Sequence, residues 1–284
     1  MAIYLDYAAT VPMPAEVLAA YSNALAVVGN PSSIHSFGQA ARQMVEEARE
    51  EIALAVNADR NEVIFTSGGT EASNLAIKGL FWERNKETAS RKKIVSAYTE
   101  HHAVIDTIEW LEKHEGAEAV WVPVAQDGEL DFDWYHNYLH KHSSEIALVT
   151  FMLANNETGV INDIPALAAL GAKYGVPVHS DAVAAMGHTP VDFAASGLAA
   201  MTFTGHKLGA PVGIGALIVG RRTKLLSLFQ GGSQERNLRP GTQDGVGAAA
   251  LALATNLAVA TQAAESVRLR EFKQALIEGV LQVV

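Results

Sequence analysis

The chain has 284 residues, 49% hydrophobic and 18% charged, which is enough apolar material for the core of one large domain or two modest ones. A formal net charge of −10 and a pI near 5.4 argue against non-specific binding to nucleic acid, and no long run of like charges suggests a binding tail. With no cysteine, the sequence contains no disulfide, no thiolate metal site and no thiol nucleophile.

The first helical pattern covers Pro14 to Val27. From Ala41 to Val56 the apolar positions Ala41, Met44, Val45, Ala48, Ile52 and Ala55 recur at three and four, opposite Arg42, Glu46, Arg49 and Glu50. Strand-like runs then alternate with helices. The runs are Val63 to Thr66, Lys93 to Ala97, Ala119 to Val124, Ile146 to Met152, Val176 to Ser180, Ala200 to Thr204 and Ile214 to Val219. The helices between them are predicted at Glu71 to Arg84, Val104 to His114 and Pro165 to Tyr174. Most of the runs are apolar without alternation, the pattern of strands covered on both faces. An α/β fold follows, with a mostly parallel seven-stranded sheet flanked by helices. Residues Gly245 to Val284 read as almost uninterrupted helix. Its opening stretch, Gly245 to Ala254, is apolar but short and alanine-rich, which suits a buried helix better than a membrane span. The amino terminus lacks a basic region followed by an apolar segment, and Asp6 interrupts it early. A cytoplasmic protein that binds neither membrane nor nucleic acid is expected.

The most informative residues lie between the last two strands, in Thr202-Phe203-Thr204-Gly205-His206-Lys207 and the glycine-rich turn after it. A lysine at such a place is costly to desolvate as a cation, and a lowered pKa frees its amine to condense with a carbonyl. Upstream, Asp181 ends the run Val176-Pro177-Val178-His179-Ser180. A carboxylate for a pyridine nitrogen and an amine for an aldehyde are what pyridoxal 5'-phosphate needs. Asp181 also reads as a helix cap. The turn Thr66-Ser67-Gly68-Gly69-Thr70-Glu71 follows a strand and opens a helix, an arrangement that cradles phosphate or simply connects the two. His101, at another strand-to-helix turn, reads as a cap or as a proton-transfer group. Asn155 reads as a turn-capping amide.

These blocks resemble the class V aminotransferase superfamily of fold-type I pyridoxal-phosphate enzymes, and within it the cysteine desulfurase and selenocysteine lyase family. The resemblance also rests on Tyr4-Leu5-Asp6-Tyr7-Ala8-Ala9-Thr10, Gly29-Asn30-Pro31-Ser32-Ser33, Thr99-Glu100-His101-His102-Ala103-Val104, Asn155-Asn156-Glu157-Thr158-Gly159 and Arg239-Pro240-Gly241-Thr242. It implies that Lys207 carries the cofactor and that Asp181 keeps the ring nitrogen protonated. It implies that His101 stacks on the ring and assists proton transfer, and that Asn155 meets the ring hydroxyl. Gly69, Thr70, Thr204 and His206 would hold the phosphate, together with Thr242 from the second subunit of a homodimer. The substrate would be a small amino acid, L-cysteine giving L-alanine and enzyme-bound sulfur, which a complete relative passes to an acceptor protein.

The resemblance further implies an N-terminal segment over 1–14, a cofactor-binding large domain over 15–255, and a helix over 256–284 that leads into a small carboxyl-terminal domain. Relatives continue for roughly another hundred residues, so the small domain is expected to be truncated. Two departures stand out. Ala184 replaces a glutamine that relatives carry three residues after the aspartate, and the cysteine that receives sulfur is absent. His102 stands where relatives often carry lysine and is given no role. Arg236 and Arg239 are the basic residues nearest the expected site, with a structural loop role equally open. A thiol-free chain is expected to be inactive in sulfur transfer. Another class V enzyme (selenocysteine lyase, aminotransferase or epimerase), a non-catalytic cofactor-binding remnant, and an α/β binding protein with an incidental lysine remain as alternatives.

Overall fold

The computed structural model describes residues 2–283; Met1 and Val284, the outer ends of the expected N-terminal segment and last helix, lie outside the described residues. Helices α1 (Ala15–Ala24) and α2 (Ser36–Ala55) precede β1 (Val63–Thr66). Then follow α3 (Gly69–Glu87), β2 (Lys93–Ser96), α4 (His102–Glu115), β3 (Glu118–Trp121), α5 (Phe132–His142), β4 (Ile146–Met152), α6 (Ile164–Lys173) and β5 (Val178–Asp181). The chain ends with α7 (Phe193–Ser196), β6 (Ala200–Thr204), β7 (Gly215–Val219) and α8 (Gly245–Leu281).

The seven strands form one sheet in the order β1-β7-β6-β5-β4-β2-β3. Pairs β2–β3, β2–β4, β4–β5 and β5–β6 are parallel, while β7 runs antiparallel to both β6 and β1. The absence of alternation in the apolar runs has a direct cause. Val63, Phe65, Val149, Phe151, Met201 and Phe203 pack on one face with α2, α6 and the start of α8. Ile64, Ile94, Leu148, Ala200 and Leu217 pack on the other with α3 and α4. Every strand except the edge strand β3, whose residues are exposed or half-buried, is therefore covered on both sides.

Several boundaries differ from the sequence expectation, and one helix departs from it altogether. Helix α2 starts at Ser36 because the His35 ring accepts a hydrogen bond from the Gly38 amide at 3.3 Å and caps it there. Strand β5 starts two residues late, since Pro177 has no N–H for the ladder; its carbonyl still accepts from Val149 at 2.9 Å. Helix α5 was not expected: it is polar and aromatic around most of its circumference and buries only Tyr135 and Leu139.

Helix α8 is long and apolar enough to cross a membrane by length and composition alone. Its first part instead belongs to the protein core: Ala248, Ala250, Leu251, Ala252 and Ala254 are buried with the α1 and α2 side chains Val17 and Val45.

Candidate active site

In open α/β sheets, ligands bind outside the carboxyl ends of the strands. Here Asp181 is the last residue of β5, in register with Met152 at the end of β4 and with Thr202 on β6. Thr204 ends β6, and the chain then turns tightly through Gly205, His206 and Lys207. Amides of Leu208 and Ala210 donate to the Gly205 carbonyl at 2.8 and 3.0 Å. A Cβ at Gly205 would lie 2.9 Å from Ala210 Cβ and 3.0 Å from the Ile214 side chain and carbonyl. Only glycine lets the lysine turn fold this closely onto the strand.

A cavity of about 360 Å³ opens at this edge. Gly69, Thr70, His101, Asp181, Thr204, His206 and Lys207 line it, with Ala9, Ala103, Met152, Asn156, Val183 and Ala184. Every expected site residue except Asn155 and Thr242 therefore faces one space.

Asp181 is 4% exposed, and one carboxyl oxygen accepts the Val183 amide at 2.8 Å. Burial pushes its pKa up, while the Val183 N–H and the charges of His101 and Lys207 pull it back. The aspartate is thus both the turn cap and the buried anion of the cavity, and a cation at its open side would relieve the burial penalty. His101 likewise combines a cap with a place on the cavity wall. Its Nδ1 accepts the Ala103 amide at 3.0 Å and caps α4, so in the neutral ring the proton sits on Nε2. The His206 ring contacts Thr10 Oγ1 at 3.2 Å, and its carbonyl accepts from Val11 at 2.9 Å, which fastens the N-terminal segment to the lysine turn. Burial, then the Lys207 charge, lowers the His206 pKa.

The end of the cavity at α3 is built from backbone. Helix α3 begins at Gly69 with no side-chain cap, so its first amides are open towards the cavity. A Cβ on Gly69 would come within 2.8 Å of Val183, so the close approach of loop and sheet requires glycine there. Free helix amides with Thr70, Thr204 and His206 suit a phosphate, and the buried Asp181 carboxylate suits a protonated ring nitrogen. By donor chemistry the site therefore fits pyridoxal 5'-phosphate.

Asn155 does not line this cavity. Its Oδ1 accepts the amides of Glu157 and Thr158 at 2.8 Å each, and its Nδ2 donates to the Thr99 carbonyl at 2.7 Å. The turn uses these groups, as expected of a turn-capping amide. Only the N–H on Met152 Sδ, a weak acceptor at 3.1 Å, remains for a ligand. Asn155 opens instead on an adjoining groove of about 880 Å³ that shares Asn156, Val183, Ala184 and Lys207 with the cavity. Thr242 is exposed on the loop before α8, outside both spaces. Arg236 donates to the carbonyl of Asn61 at 2.7 Å, and Arg239 pairs with Glu71 at 2.9 Å, so neither guanidinium points freely at the cavity.

Two buried groups escaped the sequence reading. Glu100 is 7% exposed; its Oε1 accepts the Met152 amide at 2.6 Å and its Oε2 has no partner. Burial, and then the Asp181 charge, raises its pKa well above the carboxylate range. His179, on β5 two residues before Asp181, bridges Thr150 on β4 at 2.8 Å and Thr202 on β6 at 3.0 Å. Burial pulls its pKa down to about 3, so the ring stays neutral. The motif His179-Ser180-Asp181 was the available signal for the second. For Glu100 there was none beyond its place before His101.

Sheet order, lysine turn and glycine-led helix together give the fold of a pyridoxal-phosphate enzyme. The aminotransferase class-V family model matches residues 3–280, and the chain belongs to that family, whose enzymes use pyridoxal 5'-phosphate. It is 45% identical over 278 residues to an IscS-like cysteine desulfurase of Mycobacterium tuberculosis, covering 98% of this chain and 70% of that protein. It is 40% identical over 279 residues to cysteine desulfurase IscS of Dictyoglomus turgidum, covering 98% and 69%. Among solved structures, a NifS-like protein superposes with a TM-score of 0.94 at 28% identity, covering all of this chain and 77% of that one. DndA from Streptomyces lividans gives 0.83 at 32% identity, covering 98% and 78%. The chain is cysteine desulfurase-like in sequence and in fold.

Proposed function

We propose that the chain binds pyridoxal 5'-phosphate at Lys207 and acts on a small amino acid, L-cysteine in the first instance, as a cysteine desulfurase-type enzyme. One observation carries the reading: Lys207, Asp181, His101 and the open end of α3 share one cavity. When bound, the cofactor supplies an aldehyde and an electron sink. Lys207 Nζ would hold the aldehyde end, and once free it would take and return the α-proton. Asp181 would hold the ring nitrogen in its protonated form. His101, with its proton on Nε2, would stand over the ring as a proton donor. Gly69, Thr70, Thr204 and His206 would anchor the phosphate. Ala184 offers no hydrogen bond where relatives place a glutamine, so ring contacts on that side would be fewer.

A homodimer and a cytoplasmic location belong to the same proposal, supported by the likeness to IscS-type relatives. Thr242, exposed on its loop, would meet the partner's phosphate. The 284 residues contain no thiol, so binding and α-proton transfer are supported while sulfur transfer is not. The test is borohydride reduction of the chain with pyridoxal 5'-phosphate, followed by peptide mapping. The label is expected on Lys207; a label on Lys173 or Lys224 overturns the assignment. With L-cysteine, sulfide release is expected to stay at the level of a Lys207→Ala control. Stoichiometric alanine and sulfide above that level would demand a thiol-independent route.

A further inference from the structure

We propose that Arg239 is a positioning residue for the phosphate end of the cavity: by pairing with Glu71, it lets the first turn of α3 face a phosphate without an opposing carboxylate charge. This rests on the reading of Gly69 and Thr70 as the phosphate cradle.

Glu71 is the third residue of α3, directly after Gly69 and Thr70. Its side chain folds back, and Oε2 accepts the Ser67 amide at 2.8 Å, which shapes the glycine turn. A carboxylate in a first turn suits an empty helix terminus. It opposes a phosphate, which needs the same positive end and carries the same sign of charge. Arg239 answers this conflict. Its Nε donates to Glu71 Oε1 at 2.9 Å, and its Nη2 lies 3.5 Å from Oε2. The two side chains are 27% and 15% exposed, so solvent screens them only in part. Burial pushes the Glu71 carboxyl up, yet Arg239 and Ser67 outweigh it and hold Glu71 ionised.

The arm that carries Arg239 is itself fixed. Glu235, Arg236 and Asn237 all take left-handed backbone conformations, with φ of 47°, 59° and 62°. Glu235 is buried against Arg49 at 2.7 Å and accepts the Phe65 amide at 2.8 Å. The strained bend is thus locked to α2 and β1, and Arg239 reaches Glu71 from a rigid base.

An ordinary structural ion pair would serve phosphorylated and unphosphorylated ligands alike. The test therefore titrates the full chain with pyridoxal 5'-phosphate and, separately, with pyridoxal, following the absorbance of the bound chromophore. Wild type, Arg239→Ala, Glu71→Gln and the double variant are compared. Arg239→Ala is expected to weaken pyridoxal 5'-phosphate about tenfold and pyridoxal less than about threefold. Glu71→Gln keeps the acceptor for Ser67 and should leave both affinities within about threefold. Added to Arg239→Ala, it should restore most of the lost affinity, because the charge that Arg239 balanced is gone. Equal weakening of both ligands overturns the proposal, as does a double variant no better than Arg239→Ala. If Arg239→Ala does not fold, Arg239→Gln is measured in its place with the same expectations. A wild type that binds both ligands alike overturns the phosphate cradle itself, and with it this role.

Discussion

Near the carboxyl ends of β2, β4, β5 and β6 many buried side chains are polar: Glu100, Asn155, His179, Asp181, Thr202 and Thr204 are all less than a tenth exposed. Along the distal half of α8 the reverse holds, and Val267, Leu269, Phe272, Leu276, Val280 and Leu281 are exposed. The first region keeps an arrangement that opposes simple burial, because desolvating a carboxylate or an imidazole is unfavourable unless a partner answers it. There the hydrogen bonds are specific and the geometry is over-determined. In the second region the apolar side chains are largely left to water, so the single chain shields less of their surface. Substitutions should therefore act strongly at the sheet edge, in ways that depend on pH and ligand, and weakly along distal α8.

The largest effect is expected at Asp181. Asp181→Asn keeps the shape and an acceptor for the Val183 amide but removes the charge facing the cavity. Exchange of an amino acid's α-proton, measured in deuterated water with pyridoxal 5'-phosphate present, should fall about 10²–10³-fold. An unchanged rate would reduce Asp181 to a turn cap and erase the contrast at its strongest point.

His179→Ala should be the largest effect on stability. It removes the bridge across β4, β5 and β6 and leaves the Thr150 and Thr202 hydroxyls without that partner, a loss of about 3 kcal/mol. The sign with pH follows from a folded pKa of about 3 against an ordinary value near 6.5. The unfolded chain takes up a proton that the folded chain refuses. The stability associated with neutral His179 is thus full above about pH 6.5 and declines by about 1.4 kcal/mol per pH unit as pH falls towards 3. Chemical denaturation of wild type and variant at pH 7.5 and pH 5 should show the gap narrowing in acid. A gap independent of pH would mean that the buried imidazole is not held neutral.

Glu100→Gln should act in the opposite direction and more weakly. Its folded pKa is raised, so the folded chain holds that proton more tightly than the unfolded one. The associated stability is present below about pH 4 and is lost as pH rises through the folded value. Glutamine still accepts the Met152 amide and never ionises. The variant should match wild type near pH 4 and gain about 1 kcal/mol at pH 8. Equal stability at both pH values would show that Glu100 is relieved by a partner, such as an ordered water on Oε2.

The sequence made the sheet legible because its strands are covered on both faces, and runs such as Ile146 to Met152 announce that without help. It carried no direction for β7, since an apolar run reads alike parallel or antiparallel. It hid α5, whose aromatic and histidine side chains blur the helical stripe. At the site, Lys207, Asp181 and the glycine turn could be read because their residue types are unusual at strand ends. The pairing of Arg239 with Glu71 could not, because the partners lie 168 positions apart. The burial of Glu100 was equally hidden, because a carboxylate beside a histidine ordinarily faces water.

The smallest effect is expected in distal α8. Phe272 is 58% exposed and Leu276 69%, so the folded state shields little of either side chain from water. The main tertiary packing of α8 is made by its first part, from Gly247 to Thr255. Phe272→Ser and Leu276→Ser should each change the unfolding free energy of a dilute sample by less than about 0.5 kcal/mol, a slight fall from helix propensity included. Ala250→Ser, by contrast, places a hydroxyl at a position 1% exposed and should lower stability by about 1–2 kcal/mol. Protein concentration sharpens the comparison. If distal α8 stays solvated, the two serine variants remain neutral from micromolar to near-millimolar chain. If their effect grows with concentration, that face is buried in an assembly, and exposure in the single chain understates its contribution. A loss above about 1.5 kcal/mol at the lowest concentration would break the comparison outright, since distal α8 would then carry folding energy that its exposure does not reveal.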